Sequence, residues 1–232
     1  MSGSIENRES FLDSIAAKLN HKTGESVDTP NWKHQPQYSV YQGASRDELV
    51  SVMKKAAEAV HTKVFEVDAS GLSDCLDQVI QEYGGAPVIA TKDVRFAEYG
   101  LNHLFEKHHI DTWNVAEGHK NIDLAAQANI GLSVCDVMLA ESATAGMYND
   151  KDKARSVSLL PVASIVIVPE SLIVPRLTQA MQQIQDQVKA GREISSYINF
   201  ISGPSNSADI EMRLVVGVHG PVKVAYVVVS DR

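Results

Sequence analysis

Glu141 closes the apolar run 130–140 and leads into Ser142-Ala143-Thr144-Ala145-Gly146. A carboxylate placed where a buried strand surfaces is desolvated on one side, which tends to raise its pKa and fits it for acid–base or nucleophilic work. The same position also suits a plain ion pair with a cation such as Arg155. That arginine lies in Ala154-Arg155-Ser156-Val157-Ser158-Leu159-Leu160-Pro161, where one guanidinium precedes small and apolar residues. It can grip a carboxylate or a phosphate in bidentate fashion, as a small acid or a phosphorylated ligand requires, or form a structural pair with Glu141 or Asp209.

Two further segments concentrate polar groups among turn formers. Ser202-Gly203-Pro204-Ser205-Asn206-Ser207-Ala208-Asp209-Ile210-Glu211 leaves an apolar strand through a Gly-Pro turn. Ser207 there can cap a following helix, with Asp209 and Glu211 near its positive end. A helix start beside Ser202 and Ser205 can also hold an anion, although a capped turn explains the same residues. Gly217-Val218-His219-Gly220-Pro221 brackets a histidine with glycines, so the backbone can approach another segment and the imidazole can titrate near neutrality. His219 therefore reads as a proton donor or acceptor, or as a turn histidine bonded to a carbonyl.

Other chemistries lack their residues. His108-His109 and His103 are too loosely spaced against carboxylates for a recognised metal set. No G-x-G-x-x-G, P-loop or G-x-S-x-G pattern occurs. Cys75 and Cys135 are isolated, so the chain cannot alone supply the cysteines of an iron–sulfur cluster. The net charge of -8, with scattered Lys and Arg, argues against nucleic acid as a partner. No run of about 20 apolar residues and no signal pattern is present, which places the chain in the cytoplasm.

The elements that must position these groups follow from periodicity. Helical spacing predicts an N-terminal amphipathic helix over 5–19, followed by a long arm to residue 44, and then one domain over 45–232. A capping box of Ser45 and Glu48 starts the next helix. Strands are expected at 63–67, 87–91, 110–115, 130–140, 164–168, 198–201 and 222–229. Helices are expected at 72–83, in a polar stretch through Phe105, at 122–128, at 175–190 and after Ser207. Alternation of this kind predicts an α/β fold, a three-layer open and mainly parallel sheet, with ligands beyond the strand ends.

Taken together, Glu141-Ser142, the Arg155–Pro161 segment, the Ser202–Glu211 segment and Gly217-Val218-His219-Gly220-Pro221 resemble, in order and spacing, the lactate utilization protein C family. Ser207 stands where that family more often has Thr, which keeps the hydroxyl. The resemblance implies the fold of the ribose-phosphate isomerase and CoA-transferase superfamily. It also implies work beside two iron–sulfur partner proteins that oxidise L-lactate to pyruvate, with the clusters on the partners and none bound by this chain alone. It hands over no catalytic set. Glu141 and His219 stand as catalytic candidates, and Arg155, Ser202, Ser205 and Asp209 as ligand-binding candidates. The alternatives are a free-standing isomerase- or CoA-transferase-like enzyme using Glu141, and a non-enzymatic ligand sensor or scaffold.

Overall fold

The computed structural model describes residues 5–26, 28, 30–210 and 212–232, with the side chains of 209 and 210 outside that description. The chain divides into two compact units, Met1–Pro36 and Gln37–Arg232. In the first, α1 (Arg8–Lys18) buries none of its side chains, and Phe11 and Leu19 are exposed.

The second unit runs α2 (Arg46–Ala59), β1 (Lys63–Val67), α3 (Leu72–Glu82), β2 (Val88–Ala90), α4 (Arg95–Glu98), α5 (Asn102–Lys107) and β3 (Asp111–Thr112). It continues through α6 (Lys120–Gln127), β4 (Ile130–Val134), β5 (Val137–Leu139), β6 (Thr144–Asn149), α7 (Arg155–Leu159), β7 (Ala163–Pro169) and β8 (Ile173–Val174). The last elements are α8 (Leu177–Lys189), β9 (Tyr197–Ser202), β10 (Asn206–Ile210), β11 (Arg213–Val216) and β12 (Lys223–Val229). The expected capping box forms: Glu48 N–H donates to Ser45 Oγ (3.2 Å) and Ser45 N–H to Glu48 Oε2 (2.7 Å).

Six strands in the order β1-β12-β7-β4-β2-β3 make one sheet in which every neighbouring pair is parallel. Both faces of its centre are buried, as the apolar runs 165–169 of β7 and 224–229 of β12 require. Ile165, Ile167, Ala225 and Val227 pack on one face with Leu76 and Ile80 of α3, Phe96 of α4 and Leu104 of α5. Val166, Val168, Tyr226 and Val228 pack on the other with Met53 of α2 and Met138 and Ala145 of a second sheet. The architecture is thus the expected open, mainly parallel α/β sheet.

The second sheet, β8-β5-β6-β9, was not foreseen. It arises because the run 130–140 is two strands, not one: Asp136 interrupts it, accepts Tyr148 N–H (2.8 Å), and turns the chain from β4 into β5. The 198–201 strand likewise belongs to this sheet, antiparallel to β6. Pro175 stays outside α8, where its carbonyl accepts Glu141 N–H (3.1 Å), so that helix opens at Leu177. Among the described residues no helix follows Ser207. Asn206–Ile210 and Arg213–Val216 form a hairpin, with Ser207 paired to Val215 and Met212 in the left-handed region (φ 57°) at the tip. Ladder pairing of β-branched residues replaces the capped helix, and Glu211 lies outside the described residues.

Candidate functional site

Glu141 occupies the β5–β6 turn, where Ala143 takes a positive φ of 46°. Its partner is Arg176, not Arg155: Arg176 Nε donates to Glu141 Oε2 at 2.5 Å, with the carboxylate side chain 40% exposed. The turn is tied to the end of β9. Ser202 Oγ donates to the Ser142 carbonyl (2.9 Å), Ser142 and Thr144 share a hydroxyl–hydroxyl bond of 2.7 Å, and Thr144 opposes Ser202 in register. Beneath them Tyr226, fully buried, donates its hydroxyl to the carbonyls of Ala143 (2.9 Å) and Ile201 (3.3 Å). Burial pushes the phenol pKa up.

Ser205 and His219 form a second pair. The His219 N–H donates to Ser205 Oγ at 3.2 Å, while Ser205 N–H bonds to Pro221 O and Gly217 N–H to Ser205 O, both at 2.9 Å. Gly217 sits at φ 84° with a Cβ position only 1.9 Å from Val222 Cγ1, so a side chain there would collide. His219 is exposed on a shallow groove of about 470 Å³ that also contains Leu159, Val162 and Val218.

Arg155 stands apart from Glu141. Its guanidinium lies 5.3 Å over the Tyr197 ring, and Tyr197 opposes Asn149, five residues along β6 from Thr144. At roughly 3.4 Å per residue that separation is about 17 Å. Gly131 sets this placement, because a Cβ there would lie 1.9 Å from the Val157 carbonyl of α7. The Asp209 side chain falls outside the described residues. Ser202 is therefore joined to the Glu141 turn and Ser205 to His219, and Arg155 is held elsewhere.

A denser polar cluster lies at the C-terminal ends of β2 and β4, among residues that sequence reasoning did not single out. Arg95 contacts Asp93 (2.5 Å at Oδ2) and Asp136 (3.0 Å), and donates to the carbonyls of Cys135 (2.8 Å) and Val134 (3.2 Å). Lys153 Nζ reaches both Asp136 oxygens, at 3.1 and 3.3 Å. The side chains are 5% (Asp93), 15% (Asp136), 19% (Arg95) and 22% (Lys153) exposed, so the charges depend on one another rather than on water. Burial works to raise the Asp93 pKa, but the hydrogen bonds and charge of Arg95 prevail and hold it below the ordinary value. Burial lifts the Cys135 thiol to about 12, with Asp136 adding to the effect. The available signal was Asp136 itself, a charge inside an otherwise apolar run.

An open parallel sheet flanked by helices, with a smaller sheet stacked on one face and its polar groups gathered at strand ends, defines the class. A crystal structure of a DUF162 family protein from Deinococcus radiodurans has this fold, with a TM-score of 0.57 over 80% of this chain and 99% of that one at 21% identity. Residues 50–229 match the LUD domain, and the chain belongs to the LUD-domain family, in its lactate utilization protein C branch. It is 49% identical to lactate utilization protein C of Bacillus subtilis (99% of each chain) and 46% identical to that of Geobacillus sp. (99% and 98%).

Proposed function

We propose that this chain serves L-lactate utilization, as a component of a system in which iron–sulfur partner proteins oxidise L-lactate to pyruvate. The observation that carries the reading is the 46–49% identity to lactate utilization protein C over nearly the whole of both chains. Oxidation of the hydroxy acid to the keto acid releases two electrons and two protons, which need an acceptor. Cys75 and Cys135 are two isolated cysteines, fewer than a cluster ordinarily takes, so in this reading the clusters are carried by partners. No helix among the described residues is long and apolar enough to cross a membrane.

Within this reading Glu141 and His219 are the candidate proton carriers, and Arg155, Ser202, Ser205 and Asp209 the candidate ligand contacts. Glu141 acts as a base only after Arg176 yields its guanidinium. Deletion of the gene tests the role: growth on L-lactate as sole carbon source should fail and return with the intact gene. Unchanged growth in a strain without a paralogue would sink it. Affinity purification from lactate-grown cells should bring down iron–sulfur proteins, and their absence would confine the chain to a role outside such a complex.

A further inference from the structure

β2 and β4 are neighbours, but the chain leaves β2 through α4 and α5 on one face of the sheet and leaves β4 into the second sheet on the other. Departures to opposite faces open a crevice beyond the strand ends, the general place for ligands in open α/β sheets. Thr91 lies one residue past β2, its N–H bonded to the Leu132 carbonyl (3.1 Å), and Ser133 follows on β4. Both side chains are buried, at 4% and 2% exposure, and neither hydroxyl has a hydrogen-bond partner among the described residues. Buried hydroxyls ordinarily find partners, so a pair of them facing one space points to a group that enters it.

That space is a cavity of about 10 Å³ also lined by Asp136, Lys153, Ser158 and Tyr148. It has room for a single oxygen-sized group. Tyr148, Asn149 and Lys153 also line an outer cleft of about 600 Å³, whose other polar residues are Asp150, Lys151, Asp152, Gln187, Glu193, Ser195 and Ser196. The Asp136 acceptors are already engaged: one oxygen takes Arg95 and Lys153, and the other takes Tyr148 N–H and Lys153. The two hydroxyls have protons to offer an acceptor, and the cation that lines the cavity is the Lys153 ammonium, which carries three donors and already meets Asp136.

We propose that this crevice binds a short organic acid, one carboxylate oxygen entering the chamber between Thr91 and Ser133, the other meeting Lys153, and the remainder lying in the outer cleft. The hydroxyls donate to the first oxygen, and the ammonium supplies a charge-assisted bond to the carboxylate. The site is separate from the Glu141 turn, and it does not depend on the lactate reading: a growth phenotype leaves it untouched.

The test is an NMR titration of the full chain with acetate, pyruvate and acetamide, the last a neutral match for acetate. Both acids should give saturable shifts at the amides of Thr91, Ser133 and Tyr148, and acetamide should not. Thr91→Val with Ser133→Ala should weaken binding about tenfold or more. The same double variant should melt no earlier than the parent, because the lost hydroxyls had no partner. Ser133→Ala alone, expected to weaken binding in the same direction, serves if the double variant does not fold. Three results overturn the proposal: no saturable shift with either acid, an equal response to acetamide, which leaves the chamber to a water, or acid binding that survives removal of the hydroxyls.

Discussion

Arg95 and Tyr226 each use one polar side chain to hold carbonyls at the edges of the packed sheets, and they do it at different cost. Arg95 bonds the Val134 and Cys135 carbonyls where β4 ends, and it brings Asp93, Asp136 and Lys153 with it as a buried ionic set. Tyr226 bonds the Ala143 and Ile201 carbonyls with a neutral hydroxyl and needs no counter-charge. The ionic arrangement ties three segments at once, 93–95, 134–136 and the one at Lys153, but each charge becomes a liability if its partner goes. The hydroxyl arrangement joins the β5–β6 turn to the end of β9 at small electrostatic cost and leaves the nearby Glu141–Arg176 pair partly in solvent.

The contrast predicts unequal losses. Arg95→Met strands Asp93, leaves Asp136 with Lys153 as its one cation, and should cost about 3–5 kcal/mol, read from the midpoint of urea unfolding. Adding Asp93→Asn should return part of that loss, while Asp136 stays as the partner of Lys153. Failure of that neutral residue to recover anything would show that packing, not stranded charge, dominates there. Tyr226→Phe removes only the hydroxyl, leaves two carbonyls to find water, and should cost about 1–3 kcal/mol with little response to salt. A loss equal to that of Arg95→Met would erase the distinction.

Acid and alkali should probe the two regions separately. The Asp93 pKa is depressed in the folded state, so its contribution is present above the ordinary carboxylate range, about pH 4, and is lost as pH falls below it. The Tyr226 pKa is raised, so its contribution is present below about pH 10 and is lost as pH rises beyond. Each group can tilt stability by at most about 1.4 kcal/mol per pH unit. Asp93→Asn should flatten the acid limb of stability against pH, and Tyr226→Phe the alkaline limb. A flattened limb on the wrong side would contradict the assignment.

The two regions also differed in how readable they were. Local signals survived: the Ser45–Glu48 capping box, the apolar strands at 163–169 and 223–229, and the turn around His219. What failed was non-local. Asp136 breaks an apolar run because its partners Arg95 and Tyr148 lie 41 and 12 residues away, and no periodicity encodes that. The hairpin after Ser207 outcompeted a helix cap because strand pairing with 213–216 satisfies the same backbone groups. Glu141 found Arg176, 35 residues on, rather than Arg155, because Gly131 admits α7 close to β4 and Tyr197 holds the Arg155 guanidinium. The Ser202–Ser142 contact spans 60 residues and emerges only once β6 and β9 pair.

Glu141→Gln should give the smallest structural effect of all. The side chains of Glu141 and Arg176 are 40% and 29% exposed, and an ion pair so open to water contributes about 0–1 kcal/mol. The amide keeps the shape and one acceptor for Arg176, so the melting temperature should hardly move. Any large defect in growth on L-lactate would then have to come from chemistry rather than folding, which would make the carboxylate a working group at the hydroxyl-tied end. Full growth with an unchanged melting temperature would reduce the pair to a surface tie between the β5–β6 turn and the start of α8.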